Sequence, residues 1–121
     1  MNVKLDPNFL GFGHFLTGED GTYRFRSIKP AQYPDSTAWV RPPHIHFTVF
    51  PPSGGEWTMQ MYFAGEPLNK NDFLRTALVS NDARKCVTLD FRPATSAPDK
   101  DAHIGHLDIV LAMPGVTHGN A

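Results

Sequence analysis

Prolines and glycines interrupt this chain so often that no long helix or strand can run through it. Eleven prolines and ten glycines occur in 121 residues, and they fall between the apolar runs rather than inside them. Proline lacks a backbone donor and fixes φ, so it ends ladders and helices, while glycine supplies tight turns. Short strands joined by loops satisfy that pattern. The fold class expected is all-β, a β-sandwich of short antiparallel strands with long Pro/Gly-rich loops. A chain of this length has room for one core, so residues 1–121 are read as a single domain, small enough to gain from burying a face against a neighbour.

Alternation places the strands. TYRFRSI, after the turn signal Glu19-Asp20-Gly21, sets Tyr23 and Phe25 opposite Arg24 and Arg26, which predicts a half-buried strand at 22–28. The four prolines within 29–43 predict a long, stiffened loop. HIHFTVF at 44–50 sends Ile45, Phe47 and Val49 toward the core and His44, His46 and Thr48 to the opposite face. After Pro51-Pro52-Ser53-Gly54-Gly55, EWTMQMYF at 56–63 sets Trp57, Met59, Met61 and Phe63 opposite Thr58, Gln60 and Tyr62, and the two runs read as a hairpin. Asn71-Asp72 ahead of Phe73-Leu74 suits a short helix within 67–79, capped by an Asn or Asp side chain. Val87, Leu89 and Phe91 form a further alternating set, a Pro/Ser/Asp-rich loop follows at 93–102, and Leu107, Ile109 and Leu111 suit a last strand.

Composition narrows the function classes. Lys and Arg total 11 against 12 Asp and Glu, with no basic stripe, which argues against nucleic acid as a partner. No apolar run approaches the roughly 18 residues of a membrane span, and MNVKLDPNF lacks the apolar stretch of a secretory signal, so the compartment expected is the cytoplasm. Cys86 is the single cysteine, so no internal disulfide forms; beside a core strand it reads as a small hydrophobe.

Six histidines occur, but only His44 and His46 stand two apart inside a strand. That spacing puts both rings on one face, with Cα atoms about 6.5–7 Å apart, from which two imidazoles can converge on one ion at about 2.0–2.1 Å each. Tyr33 and Arg41 lie just upstream in the proline-stiffened loop, and Gln60 lies in the next strand. A phenolate oxygen suits a strongly acidic ion such as ferric iron, and an arginine near it could stabilise negative charge developing on a substrate. Each residue also has a plainer role open to it. Tyr33 ahead of Pro34 suits a turn covering apolar surface, Arg41 a surface cation or a bridge to an acidic side chain, and Gln60 a partner for backbone groups at a sheet edge. Tyr62, Trp57 and the methionines are assigned to the core, and His14, His103 and His106 to solvent. A cupin would need a glutamate where Phe50 and Pro51 stand, and the histidine pair of an amidohydrolase opens a barrel too large for this chain.

The string Tyr33-Pro34 … Trp39-Val40-Arg41-Pro42-Pro43-His44-Ile45-His46-Phe47, followed by Gln60-Met61-Tyr62-Phe63, resembles the intradiol ring-cleavage dioxygenases, of the protocatechuate 3,4-dioxygenase type. LDPNF at 5–9, GFG at 11–13, EDGTYRFRSIKP at 19–30 and FAGEPLN at 63–69 carry the likeness across roughly residues 5–70. The resemblance implies a β-sandwich holding a non-haem Fe(III) ion, with His44, His46 and Tyr33 matching metal ligands, Arg41 facing the substrate ring and Gln60 near it. It implies a catechol and dioxygen as small-molecule substrates, cleavage between the two hydroxylated carbons to a cis,cis-muconate, and an oligomer. The family's other tyrosine ligand lies ahead of the LDPNF-like stretch, where Met1 to Lys4 stand here, so the domain is expected to lack the family's N-terminal portion. The rival reading is a noncatalytic β-sandwich subunit or binding module with a degraded iron site; a third is a zinc hydrolase built on His44 and His46.

Overall fold

The computed structural model describes residues 4–36, 38–95 and 101–111. The fold is all-β, with three short helical pieces inserted before the fifth strand. Its centre is the antiparallel hairpin of β3 (His44–Val49) and β4 (Trp57–Phe63), in a register that sets His44 opposite Tyr62, Ile45 opposite Met61 and His46 opposite Gln60. The turn between them needs glycine, since Gly54 and Gly55 take φ of +94° and +80°. The period-two pattern then sorts the faces as expected. Met61, Phe63 and Leu89 form the buried cluster, and Ile45, Phe47, Phe91 and Leu107 pack against it. The histidines and Gln60 stay on the other face.

Two further hairpins flank this sheet. β1 (Tyr33–Ser36) pairs antiparallel with β2 (Trp39–Arg41), Tyr33 standing opposite Arg41, and β6 (Arg92–Pro93) pairs with β7 (His103–Ile104). The segment 29–43, expected as loop throughout, thus contains a ribbon. Its register shifts between Pro34 and Ser36, which is where a proline without an N–H would break a regular ladder. β5 (Thr88–Leu89) joins β4 in parallel, and a parallel neighbour requires a crossover. The crossover is a 3₁₀ turn at Pro67–Asn71, a single helical turn α1 (Phe73–Thr76) and α2 (Asn81–Cys86). Asp72 caps α1 by accepting from the Arg75 amide, the capping expected from Asn71-Asp72. The second helix, capped by Ser80, was not expected.

Three expected strands differ. Residues 22–28 lie in no ladder: Phe25 packs edge-on to Phe47 with ring centres 5.7 Å apart, and the Tyr23 hydroxyl donates to the Leu107 carbonyl at 2.5 Å. Alternation there reports which side chains touch the sheet, not whether the backbone has a partner. The 87–91 set shrinks to Thr88–Leu89, and 107–111 joins no sheet although Leu107 packs on the core. Part of the 93–102 loop, residues 96–100, lies outside the described residues. Trp57 is 45% exposed rather than buried, because it opens β4 beyond the cluster, and Cys86 is exposed at the end of α2 rather than packed as a hydrophobe. His14, His103 and His106 are exposed, as expected.

Gly105 is a packing glycine. A Cβ there would sit 2.7 Å from the Phe91 ring, too close for any real contact, and Phe91 is stacked on Phe63 with ring centres 4.8 Å apart. Gly105→Ala is expected to cost about 1–3 kcal/mol, the range for overpacking, read as a lowered urea midpoint with an unchanged m-value.

Candidate metal centre

Three elements bring the site together. β3 presents His44 and His46 on one face, with ring centres 5.0 Å apart. The β1–β2 ribbon sets Tyr33 across from Arg41, and the rigid Pro42-Pro43 step passes directly from Arg41 into β3. β4 places Gln60 and Tyr62 opposite His46 and His44. All five residues singled out in the sequence, Tyr33, Arg41, His44, His46 and Gln60, therefore lie around one end of the central hairpin.

Tyr33 Oη stands 3.5 Å from His44 Nε2, and the two ring centres are 5.5 Å apart. His44 is buried, and its Nδ1 lies 2.7 Å from the Pro42 carbonyl. The proton is therefore assigned to Nδ1, as a donor to that carbonyl, which leaves the Nε2 lone pair aimed toward Tyr33. Burial is the main cause that lowers the His44 pKa below 6.5; the neighbouring Arg41 charge adds to it, and the Pro42 hydrogen bond only partly opposes it. The imidazole is neutral at pH 7, the form that binds metals. His46 is exposed and lines an open cleft of about 310 Å³ with Thr58, Gln60, Tyr62, Leu74 and Leu78.

Arg41 is buried, 4% exposed, at the centre of a polar network. Its Nε donates to Asp72 Oδ2 at 2.9 Å, its Nη2 to Gln60 Oε1 at 2.5 Å, and its Nη1 to Tyr33 Oη at 3.4 Å. Tyr62 donates its hydroxyl to Asp72 Oδ1 at 2.9 Å. Burial pushes the Asp72 carboxyl up, but the Arg41 hydrogen bond, the Arg75 amide and the Tyr62 hydroxyl together outweigh it and hold the pKa below 3.8. Burial first, and then the Asp72 hydrogen bond, raise the Tyr62 phenol above its ordinary value of 10.0, so it remains protonated. Gln60 does not serve a sheet edge, since β4 is the middle strand of its sheet and the amide oxygen accepts from Arg41. Asp72 and Tyr62 are the members that sequence reasoning missed. Asp72 was legible only as a helix cap, and Tyr62, buried as assigned, belongs to the polar face rather than to the apolar cluster.

The donor set suits a hard, acidic ion. Ligands held at about 2.0–2.1 Å from one ion stand about 3 Å from each other, close to the Tyr33–His44 separation of 3.5 Å. No group of three or more His, Cys, Asp and Glu side chains comes together among the described residues; the oxygen that stands beside the two imidazoles is Tyr33 Oη, 3.5 Å from His44 Nε2. The chain's other two tyrosines are engaged elsewhere, Tyr23 with the Leu107 carbonyl and Tyr62 with Asp72.

The pKa directions give a two-stage acid response. His44, lowered in the folded state, contributes stability that is fully present above 6.5 and is lost as pH falls through its lowered value; Asp72 does the same from 3.8 downward. The urea midpoint is expected to be flat from about pH 7 to 8, to fall first below 6.5 and again below 3.8. In His44→Gln the first stage should disappear. A first stage of unchanged size in that variant would assign it to another group.

Comparison with known proteins places this chain in a class. The chain belongs to the Dioxygenase family (Dioxygenase_C), whose family model matches residues 2–113. More particularly, it is 52% identical over 71 residues to the protocatechuate 3,4-dioxygenase beta chain of Burkholderia cepacia, which bears out the intradiol resemblance. The aligned stretch is 55% of this chain and 30% of that relative's length. Among the described residues no helix is long and apolar enough to cross a membrane.

Proposed function

We propose that this chain carries the non-haem Fe(III) site of an intradiol dioxygenase that opens a catechol such as protocatechuate between its two hydroxylated carbons, giving a cis,cis-muconate. The observation that carries the reading is the meeting of Tyr33, His44 and His46 at one end of the hairpin, with a fixed arginine beside them. The family is generally Fe(III)-dependent, and Tyr33 Oη, His44 Nε2 and the His46 ring would hold the ion. When bound, ferric iron supplies Lewis acidity toward the two catechol oxygens.

The chain's own residues do the rest. The Pro42 carbonyl fixes the His44 tautomer, so Nε2 is offered without a proton to displace. Tyr33 would give up its hydroxyl proton in holding the ion, and its Oη would then take a proton from one substrate hydroxyl as the diol enters. Arg41 holds a permanent cation next to Tyr33, where it stabilises carbanion character on the ring. Gln60, its oxygen engaged by Arg41, has its Nε2 amide to donate toward the cleft it lines and so orients the ring. The relative is named as the beta chain of protocatechuate 3,4-dioxygenase, and this chain would likewise act within an oligomer in the cytoplasm.

The test is the purified chain loaded with ferric iron. A tyrosinate-to-iron charge-transfer colour, lost in Tyr33→Phe, together with oxygen uptake on 3,4-dihydroxybenzoate, is the expected result. A colourless protein that binds no iron and takes up no oxygen would instead be a noncatalytic subunit. A zinc hydrolase would have only two protein donors here, and its activity would survive Tyr33→Phe.

A further inference from the structure

Arg41 can act on a bound ring only if its guanidinium is held in one orientation, and the contacts around it show what holds it. Asp72 is fully buried at 0% exposure. Its Oδ2 accepts from Arg41 Nε at 2.9 Å and its Oδ1 from Arg41 Nη2 at 3.4 Å, while the Tyr62 hydroxyl and the Arg75 amide each donate to Oδ1 at 2.9 Å. The carboxylate occupies one edge of the planar fork, and Gln60 takes the remaining Nη2 hydrogen. What is left is the Nη1 end, directed to Tyr33 Oη at 3.4 Å, on the side where His44 stands 3.5 Å from the same oxygen. Asp72 in turn is anchored by the helical turn it caps, so the crossover between β4 and β5 sets the angle of a side chain that issues from β2.

We infer that Asp72 is a positioning residue of this site: its buried carboxylate grips Arg41 by the Nε–Nη2 edge so that the Nη1 end is presented beside Tyr33 and His44, where the diol is to bind. This rests on the dioxygenase reading above and adds to it a residue that never touches substrate. The competing account is that Asp72 merely caps α1. Asparagine separates the two, because it caps a helix as well as aspartate does but offers Arg41 one neutral oxygen and an NH₂ group in place of a charged, two-oxygen acceptor.

The experiment compares the wild-type chain with Asp72→Asn, reading kcat and KM on 3,4-dihydroxybenzoate, the iron–tyrosinate band, and the NMR signal of the Arg41 side-chain Nε–H, assigned by its loss in Arg41→Lys. The band and KM should hold within about twofold while kcat falls about 100-fold, the scale for a misplaced catalytic group, and the Nε–H signal should shift and lose its protection from exchange. If Asp72→Asn does not fold, Tyr62→Phe, which removes one hydrogen bond to the carboxylate and no charge, should lower kcat about tenfold and move the same signal. Unchanged kcat with an unmoved Nε–H in whichever variant folds would overturn the inference. A wild-type chain with no band and no turnover would overturn the dioxygenase reading instead, and the Nε–H signal would still decide whether Asp72 fixes the guanidinium.

Discussion

His44→Ala is expected to strip the chain of iron and reduce oxygen uptake on a catechol to background. Groups that merely orient a metal-bound histidine are worth about 10–100-fold in metal affinity or activity, so removing the imidazole itself should cost more than about 100-fold. The loss falls on binding rather than on folding. Alanine leaves the Pro42 carbonyl without its 2.7 Å donor, a cost of about 1–3 kcal/mol, but the apolar face of the same strand, Ile45 and Phe47, still packs on the core. Iron content after gel filtration, the visible charge-transfer band and a urea titration separate the two effects. His46→Ala should lose iron with less effect on stability, since its ring is exposed. His103→Ala, on an exposed strand of another sheet, should keep both the band and the turnover. If His44→Ala kept its iron and its band, the imidazole would not be a ligand.

The parts of this molecule that followed from the sequence are those governed by local period and chain geometry. HIHFTVF and EWTMQMYF dictated the hairpin, its core face and the adjacency of His44, His46 and Gln60, because a strand has only two faces. Tyr33 and Arg41 reached the same end of the hairpin although the residues between them were read as loop; the Pro42-Pro43 step fixes where Arg41 can lie, and the short ribbon brings Tyr33 opposite it. What stayed hidden depends on contacts distant in sequence. Nothing local to Asp72 shows that the side chain capping α1 also reaches Arg41, 31 positions earlier. The alternation of Tyr23 and Phe25 correctly implied contact with the sheet, yet backbone pairing depends on a neighbouring strand edge, which no pattern in the segment itself records. β5 pairs in parallel because a crossover returns the chain to that edge, again a property of the connection rather than of Thr88 and Leu89.

The second large effect concerns stability. Arg41→Met, which keeps much of the side-chain length and removes the charge, is expected to cost about 3–5 kcal/mol, because it strands a buried carboxylate without its cation. The two side chains are 5% and 0% exposed, so solvent cannot take over from either partner. Tyr62 and the Arg75 amide still donate to Asp72, but neutral donors replace only part of the interaction. The pH dependence identifies the cause. In the wild type the arginine helps hold the Asp72 pKa below 3.8; in the variant burial is opposed only by the Arg75 amide and the Tyr62 hydroxyl, so the pKa rises from its wild-type position. The stability difference between the two proteins should therefore be largest near neutral pH and narrow in acid, because the variant's carboxyl takes up its proton at a higher pH than the wild type's. Adding Asp72→Asn to Arg41→Met should recover most of the loss, since a buried pair replaced on both sides is close to neutral where a broken one is not. Urea titrations of the four proteins of this cycle between about pH 4 and 8 measure each term. A deficit that is independent of pH and unrelieved in the double variant would mean that Arg41 stabilises through the packing of its aliphatic stem against neighbours such as the Trp39 ring, 5.2 Å from its guanidinium carbon, and not through its charge.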